Sequence, residues 1–159
     1  MAGAQPLLAL LSPHQPSLLM LAMLAVAPLT WRSTGPPERA STLTLGGVAV
    51  LDLATWWLAD GSALLHALTA SLALSWMVPV ALRANRFYPA VIAAALLVSA
   101  TAQWLFVLGQ VEQALPVELL AGGARLVALL TYLCGWQSHR NFVARSGQRP
   151  AWREQIPFR

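Results

Sequence analysis

The stretch LPVELLAGGARLVALLTYLCGW, residues Leu115–Trp136, decides the fold. It is long enough to cross a bilayer as a helix, which takes about 20 predominantly apolar residues. Arg125 lies near its middle, where inserting a charged side chain costs roughly 2.5–3.5 kcal/mol. Such a charge must face protein, water or a counter-ion. We therefore expect other parts of the chain to pack around Arg125 and satisfy its charge.

The composition of the whole chain is that of a membrane protein. Of its 159 residues 57% are hydrophobic and 10% are charged, whereas soluble domains carry about 25% charged residues. All ten basic residues are arginine, which together with abundant Ala, Leu and Pro is typical of a GC-rich, bacterial coding sequence. The arginines lie next to apolar segments, so orientation in a membrane explains the net charge of +4 better than a nucleic-acid partner does.

Apolar runs and the breaks between them predict an all-α, polytopic membrane bundle of four to five transmembrane helices. The predicted helices cover about 17–31, 42–58, 62–82, 87–109 and 115–136, in one domain over residues 1–136. The first is short, so it either spans as a tilted helix or lies on the interface or against the bundle. Residues 32–41 read as a loop because of Gly35-Pro36-Pro37 and the flanking charges. Residues 137–159 form an arginine-rich tail.

The distribution of arginine predicts the orientation. Two arginines lie in 32–41, two in the turn 83–86 and five in the tail, whereas the opposite connections hold Asp60 and Glu112 and no arginine. Cytoplasmic loops carry the excess of basic residues. We therefore predict a multi-pass protein of a bacterial inner membrane whose C-terminus and turn 83–86 are cytoplasmic, with Asp60 outside.

One segment resembles a known group of proteins. The run ALRANRFYP, residues Ala81–Pro89, places a basic turn before an apolar helix. It resembles a segment of small proteobacterial inner-membrane proteins. The resemblance covers about a third of the chain and is carried by an unspecific motif. It implies a membrane location and, because that group has no known activity, no mechanism.

Ionisable and polar residues inside the predicted helices form a layer towards the outer face. The layer consists of Asp52, His66, Gln103, Glu118 and Arg125. In one interpretation Arg125 pairs with Asp52, assisted by Glu118 and Gln103, and this pairing fixes how the helices assemble. In the other, the layer is a site open to the outer face for a proton, an ion or an anionic small molecule. The inner half is predicted to be poorer in polar groups, with Ser71, Ser75, Thr131 and Tyr132 as the main ones.

His66 has a further interpretation as a pigment or haem ligand. Ser62, four residues earlier, would let a flat macrocycle approach, although the same small residues also suit close helix packing. No other cofactor and no metal site is predicted. The chain carries no catalytic motif such as H-E-x-x-H or G-x-S-x-G, so an enzyme is not expected. Cys134, the single cysteine, excludes an internal disulfide and is expected to be buried and inert.

The tail and the missing motifs lead to a functional hypothesis. Basic and aromatic side chains are interleaved in the tail, which suits either the anionic cytoplasmic leaflet or a partner protein; they include Arg140, Arg145, Arg149, Trp152 and Arg153. The sequence predicts a non-catalytic accessory or assembly subunit of a larger membrane complex, in contact with lipid and other membrane subunits. The alternatives are a small carrier or an ion- or proton-conducting protein and, third, a pigment- or haem-binding subunit.

Overall fold

The computed structural model describes residues 16–31, 35–59, 62–112 and 114–147. Within these residues the chain forms five helices and no sheet. They are α1 Pro16–Trp31, α2 Pro36–Ala59, α3 Ala63–Arg83, α4 Tyr88–Val107 and α5 Ala114–Ser146. The last four are long and apolar enough to cross a membrane. The prediction of an all-α, multi-pass helical bundle is confirmed.

Helices that follow each other in sequence pack side by side, and α5 returns to touch α1 and α2. Their short connections make neighbouring helices antiparallel. One end of the bundle therefore collects the end of α1, the start of α2, the turn between α3 and α4 and the end of α5. We call it the arginine end, because it carries Arg39, Arg83, Arg86, Arg140 and Arg145.

Residues 32–41 are not wholly a loop, contrary to the prediction: α2 begins at Pro36 and not near residue 42. Proline is tolerated in the first turn of a helix, where its missing N–H would have no intrahelical partner. The first α-helical hydrogen bond runs from the Arg39 N–H to the Gly35 carbonyl at 3.0 Å. The Gly-Pro-Pro sequence therefore starts the helix six residues early.

The last helix is also longer than predicted. It continues to Ser146, whereas the sequence placed its end at Trp136. Residues 137–146 are polar but contain neither proline nor glycine, so nothing interrupts the helix. Gly147 adopts a left-handed φ of 79° and donates its N–H to the Val143 carbonyl, which ends the helix.

The bundle core is packed from small and medium apolar side chains. Its centre is formed by Leu45, Ala49, Met77, Ile92, Leu96 and Ala128, each at most 3% exposed. Many of the leucines and tryptophans on the outer faces are exposed, as expected of side chains that contact lipid. Cys134 belongs to the exposed set, so the expectation that it is buried is wrong. Tyr132 lies on the buried face of α5, and Cys134, two residues later, is turned about 200° around the helix and points outwards.

Candidate functional site: two buried charge clusters

Asp52 is the centre of one buried polar cluster. It follows Leu45, Val48 and Ala49 on the face of α2 that points into the bundle, and it is 1% exposed. Its Oδ2 lies 2.7 Å from Nη1 of Arg125 on α5. Its Oδ1 lies 2.7 Å from Nδ1 of His66, in the first turn of α3. We call Asp52, His66 and Arg125 the Asp52 cluster.

The Asp52 cluster connects three helices through one carboxylate. Both carboxylate oxygens face a nitrogen of the protein, and the side chains of Arg125 and His66 are 12% and 21% exposed. A buried ion pair loses much hydration free energy, so it is tolerated only where geometry and hydrogen bonding are good. The structure therefore contains the Asp52–Arg125 pair that the sequence predicted, and it adds His66 as a direct partner of Asp52.

The other two residues of the predicted polar layer do not join the cluster. Glu118 is exposed, although it lies two turns before Arg125 on α5. Gln103 is buried on α4, and its Oε1 has no hydrogen-bond partner among the described residues. No hydrogen bond or ion pair in the described part of the chain connects either residue to Asp52 or Arg125. The expectation that both would assist the pair is wrong.

A second buried cluster lies at the arginine end. Glu38, in the first turn of α2, is fully buried and forms an ion pair through Oε1 with Nη1 of Arg86. Arg86 lies in the turn between α3 and α4, and its Nη2 donates to Nε2 of His139 on α5 at 3.3 Å. We call Glu38, Arg86 and His139 the Glu38 cluster. The half of the bundle at the arginine end was predicted to be poorer in polar groups, and this cluster corrects that prediction.

Local structure explains how the Glu38 cluster assembles. The early start of α2 places Glu38 at a helix N-terminus, where a carboxylate is favoured by the helix dipole. The extension of α5 beyond Trp136 brings His139 alongside the turn. Burial lowers the pKa of the Arg86 guanidinium from its ordinary value, because the charged form loses hydration. Arginine nevertheless keeps its charge in proteins, so Glu38 faces a cation.

The two clusters lie on the same faces of two antiparallel helices. Asp52 follows Glu38 by fourteen residues on α2, and His139 follows Arg125 by fourteen residues on α5. At 1.5 Å per residue these spacings are both about 21 Å. Tyr132, midway along α5 between Arg125 and His139, places its hydroxyl 2.5 Å from Oγ1 of Thr42. Polar side chains thus connect α2 and α5 at three heights, directly at two of them and through Arg86 at the arginine end.

The space between the clusters is mostly apolar. Thr42 and Tyr132 lie in the half of the bundle nearer the arginine end. Between Thr42 and Asp52, α2 carries the buried apolar residues Leu45, Val48 and Ala49. Across from them, Ala128 and Leu129 fill the same level of α5. The clusters are therefore separate charged regions with a packed apolar core between them.

The predicted docking residues are only partly described by the structure. Arg140 lies within α5, with its guanidinium 5.0 Å from the ring centre of Trp136. Arg145 is exposed in the last turn of the same helix. Arg149, Trp152 and Arg153 lie outside the described residues, as does Asp60. In the residues that are described, no group of three or more His, Cys, Asp and Glu side chains suits a metal ion.

Sequence reasoning missed Glu38, Arg86 and His139 because each lies at a predicted boundary, where a polar residue is normally solvated. One signal was available in the spacing. Glu118, Arg125, Tyr132 and His139 recur at intervals of seven residues, which places them on one face of a helix if that helix is continuous. Glu38 and Asp52 on α2 are fourteen residues apart, as Arg125 and His139 are on α5, so each acid can face one of these two basic residues.

Comparisons of the chain with protein-family models, with curated proteins and with solved structures gave no match. The resemblance of residues 81–89 to proteobacterial inner-membrane proteins therefore stays a prediction. Function has to be inferred from the clusters and the outer faces of the bundle.

Proposed function

We propose that this chain is a non-catalytic accessory or assembly subunit of a larger complex in a bacterial inner membrane, with its C-terminus in the cytoplasm. The observation that carries the proposal is the uncovered glycine face of α5. A Cβ atom added at Gly122 or Gly123 would meet nothing within 4 Å. Glycine at a helix surface lets the backbone of another membrane helix approach closely.

The neighbours of these glycines extend the same face. Leu126, Val127 and Leu130 are all at least 44% exposed, while the opposite side of α5 carries the buried Ala124 and Ala128. In the described part of the chain no atom would contact a Cβ at either glycine, so the packing of these helices does not require glycine there. A helix of another subunit, packed against this face, would give one.

The Asp52 cluster supports a structural role. Arg125 and His66 occupy both oxygens of the carboxylate, so the intramembrane charges are balanced within the protein. A subunit that only has to assemble correctly benefits from such cross-links between helices that are distant in sequence. On this proposal Asp52 and Arg125 orient α5 so that its glycine face points outwards.

The test is purification from the native membrane in mild detergent, with co-purifying proteins identified by mass spectrometry. Gly123→Leu should remove the co-purifying subunit while the bundle keeps its thermal stability. Gly47→Leu is the matched control, because a Cβ at Gly47 on α2 also meets nothing within 4 Å. Retention of the same subunits by Gly123→Leu would contradict the proposal.

The orientation can be tested independently with a reporter fused to the C-terminus, which should be active only in the cytoplasm. A C-terminus outside the cell would overturn the assignment of every connection.

One observation favours a second candidate, a small carrier or proton-conducting protein. The His66 imidazole touches the buried Asp52 carboxylate and is partly exposed, as expected of an entry point for protons. The apolar core beyond Asp52 weighs against a continuous path. Proton flux into vesicles containing the purified protein, abolished by His66→Ala with the fold intact, would support this candidate over the first.

His66 is also the residue at which the third candidate, a pigment- or haem-binding subunit, can be tested. Nδ1 bonded to a carboxylate leaves Nε2 for a ligand, an arrangement common among metal-binding histidines. The purification described above decides the matter directly. A visible absorption band that is lost in His66→Ala would establish a bound chromophore.

A further inference from the structure

A shallow groove runs along the lipid-facing side between α1 and α2. Its volume is about 260 Å³. The α1 side is formed by Leu24, Ala27, Pro28 and Trp31, which follow one face of that helix. The lining is apolar apart from Thr42, whose hydroxyl is hydrogen-bonded to Tyr132. The groove therefore offers its occupant an almost entirely apolar surface.

The opposite side of the groove owes its depth to two glycines. Leu43, Gly46, Gly47 and Val50 line it from α2. A Cβ at Gly46 would only reach ordinary contact with the Ala27 Cβ, at 3.9 Å, and one at Gly47 would meet nothing within 4 Å. The described residues thus leave the space above Gly47 open to another molecule.

Among the described residues, an arginine lies beside one end of this groove. Trp31 forms that end, and the guanidinium of Arg39 lies 5.8 Å from the centre of its ring. Arg39 is exposed, so its N–H groups can also reach a second partner. Stacking on the indole restricts the guanidinium to the mouth of the groove, where an anion would lie directly above an apolar channel.

The length of this arrangement matches one leaflet of a bilayer. Arg39 and Val50 are eleven residues apart on α2, or about 17 Å at 1.5 Å per residue. Half the hydrocarbon thickness of a bilayer is about 15 Å. A molecule with its anionic group at Arg39 would therefore extend its apolar part close to the bilayer midplane.

We propose that the α1–α2 groove is a binding site for an anionic glycerophospholipid, with one acyl chain over Gly46 and Gly47 and the phosphate at Arg39. Charge complementarity and leaflet length together select this occupant. Arginines are attracted to the anionic headgroups of a membrane surface, and the apolar lining matches an acyl chain. The site is separate from the glycine face of α5.

A larger groove elsewhere on the bundle shows why volume alone is insufficient. It lies between α2 and α3, measures about 340 Å³ and is lined by leucines, alanines and two threonines. Neither groove has a charged lining residue, but the α1–α2 groove ends at Trp31, whose ring carries the Arg39 guanidinium, whereas the α2–α3 groove lies away from the arginine end. Lipid in the α2–α3 groove would have no reason to carry an anionic headgroup, so this groove serves as an internal comparison.

The experiment measures lipid retained by the purified full-length protein. The protein is reconstituted in vesicles of phosphatidylglycerol and phosphatidylethanolamine, released into mild detergent and analysed by native mass spectrometry. Arg39→Gln should reduce retained phosphatidylglycerol about fivefold, the loss expected for one arginine near an anionic headgroup. Gly47→Leu should reduce it at least as much by filling the groove.

Two matched variants serve as controls. Arg83→Gln removes an exposed arginine from the same end of the bundle, in the last turn of α3. Ala54→Leu adds a larger side chain to the lining of the α2–α3 groove, which serves as the internal comparison. Both controls should retain phosphatidylglycerol as the wild type does, and thermal unfolding should show all four variants folded. If Gly47→Leu fails to fold, the phosphatidylglycerol retained by Arg39→Gln, a substitution at an exposed position, decides the test.

Three results would overturn the lipid site. The first is equal loss of phosphatidylglycerol in Arg39→Gln and Arg83→Gln, which indicates a general surface charge. The second is unchanged retention in both groove variants. The third is loss of a co-purifying protein from Gly47→Leu with lipid retention unchanged, which would place a partner helix in the groove. Loss of the α5 partner in Gly123→Leu bears only on the accessory role.

Discussion

The Asp52 cluster and the Glu38 cluster contain the same three kinds of side chain, but they are built differently. In the first, one carboxylate binds a histidine and an arginine from two separate helices. In the second, the arginine is central: Arg86 pairs with the acid on one side and donates to the histidine on the other. The side chain with two partners is therefore the carboxylate of Asp52 in the first cluster and the guanidinium of Arg86 in the second.

The two ends of the bundle are therefore sensitive to the loss of different charged groups. Asp52 is 1% exposed and its guanidinium partner comes from the middle of an apolar helix, so neither charge has an easy route to water. Glu38 is also fully buried, but Arg86 lies in a connecting turn. Arginine can extend its long side chain towards an aqueous boundary when its partner is lost. The two ends should thus respond unequally to mutation.

The largest effect is expected at the Asp52–Arg125 pair. Asp52→Ala and Arg125→Ala should each destabilise the bundle by about 3–5 kcal/mol, because each leaves an uncompensated buried charge. The double mutant should lose less than the sum of the two. Unfolding in detergent, followed by helical circular dichroism, measures all three. Strict additivity would mean that the two residues do not stabilise each other.

An apolar replacement of similar volume is the matched control for this cycle. Asp52→Leu combined with Arg125→Met removes both charges and fills most of the space. Replacement of a buried ion pair by well-packed apolar residues is often neutral or stabilising. If association with the partner subunit survives in this variant, the pair is structural; a folded but inactive protein would favour a transport role.

The Glu38 cluster should show a marked asymmetry. Arg86→Ala leaves a fully buried carboxylate without its cation and should cost about 3 kcal/mol, at the lower end of the range for breaking a buried pair. Glu38→Ala should cost clearly less, because Arg86 can turn to the surface. The same unfolding measurement applies. Equal losses would show that the turn holds Arg86 as firmly as the helices hold Arg125.

Close packing of α4 against α5 brings His139 to the turn between α3 and α4. Substitutions at Gly135 test this packing. A Cβ at Gly135 would lie 2.6–2.7 Å from the ring atoms Cγ and Cδ1 of Tyr88. Gly135→Ala should therefore destabilise the protein by about 1–3 kcal/mol through overpacking. Gly122→Ala, in open space on the same helix, is the control and should be neutral or stabilising by up to about 1 kcal/mol. The same sign for both would refute the close contact.

The two histidines should differ in how much their side chains stabilise the protein. His66→Ala removes a hydrogen bond to a charged acceptor, worth about 1.5–3 kcal/mol, and leaves Asp52 with one partner. His139→Ala removes a longer contact at the edge of its cluster and should cost about 0.5–1.5 kcal/mol. His66→Asn, whose amide can replace Nδ1, should restore part of the loss. A larger cost at His139 would reverse the ranking of the two clusters.

The two clusters also differ in how visible they are in the sequence. Asp52 and Arg125 stand out because charges within long apolar runs are rare and expensive, so their pairing can be predicted from the sequence alone. Glu38 and Arg86 look like ordinary loop charges beside prolines and turn residues. Their burial depends on α2 starting at Pro36 and on the turn folding back over it, which no local pattern reports.

Hydropathy and helix breakers act locally, so the apolar spans, the helical class and their approximate bounds can be predicted from the amino-acid sequence. The sequence also identifies Arg125 as a charge that needs a partner. It does not report that His66 shares Asp52, that Gln103 and Glu118 stand apart, or that a second cluster exists at the arginine end. Side chains on different helices meet according to the rotation and the relative height of those helices. Both are set by packing across the whole bundle, since a helix rotated by one residue turns its polar groups by about 100°.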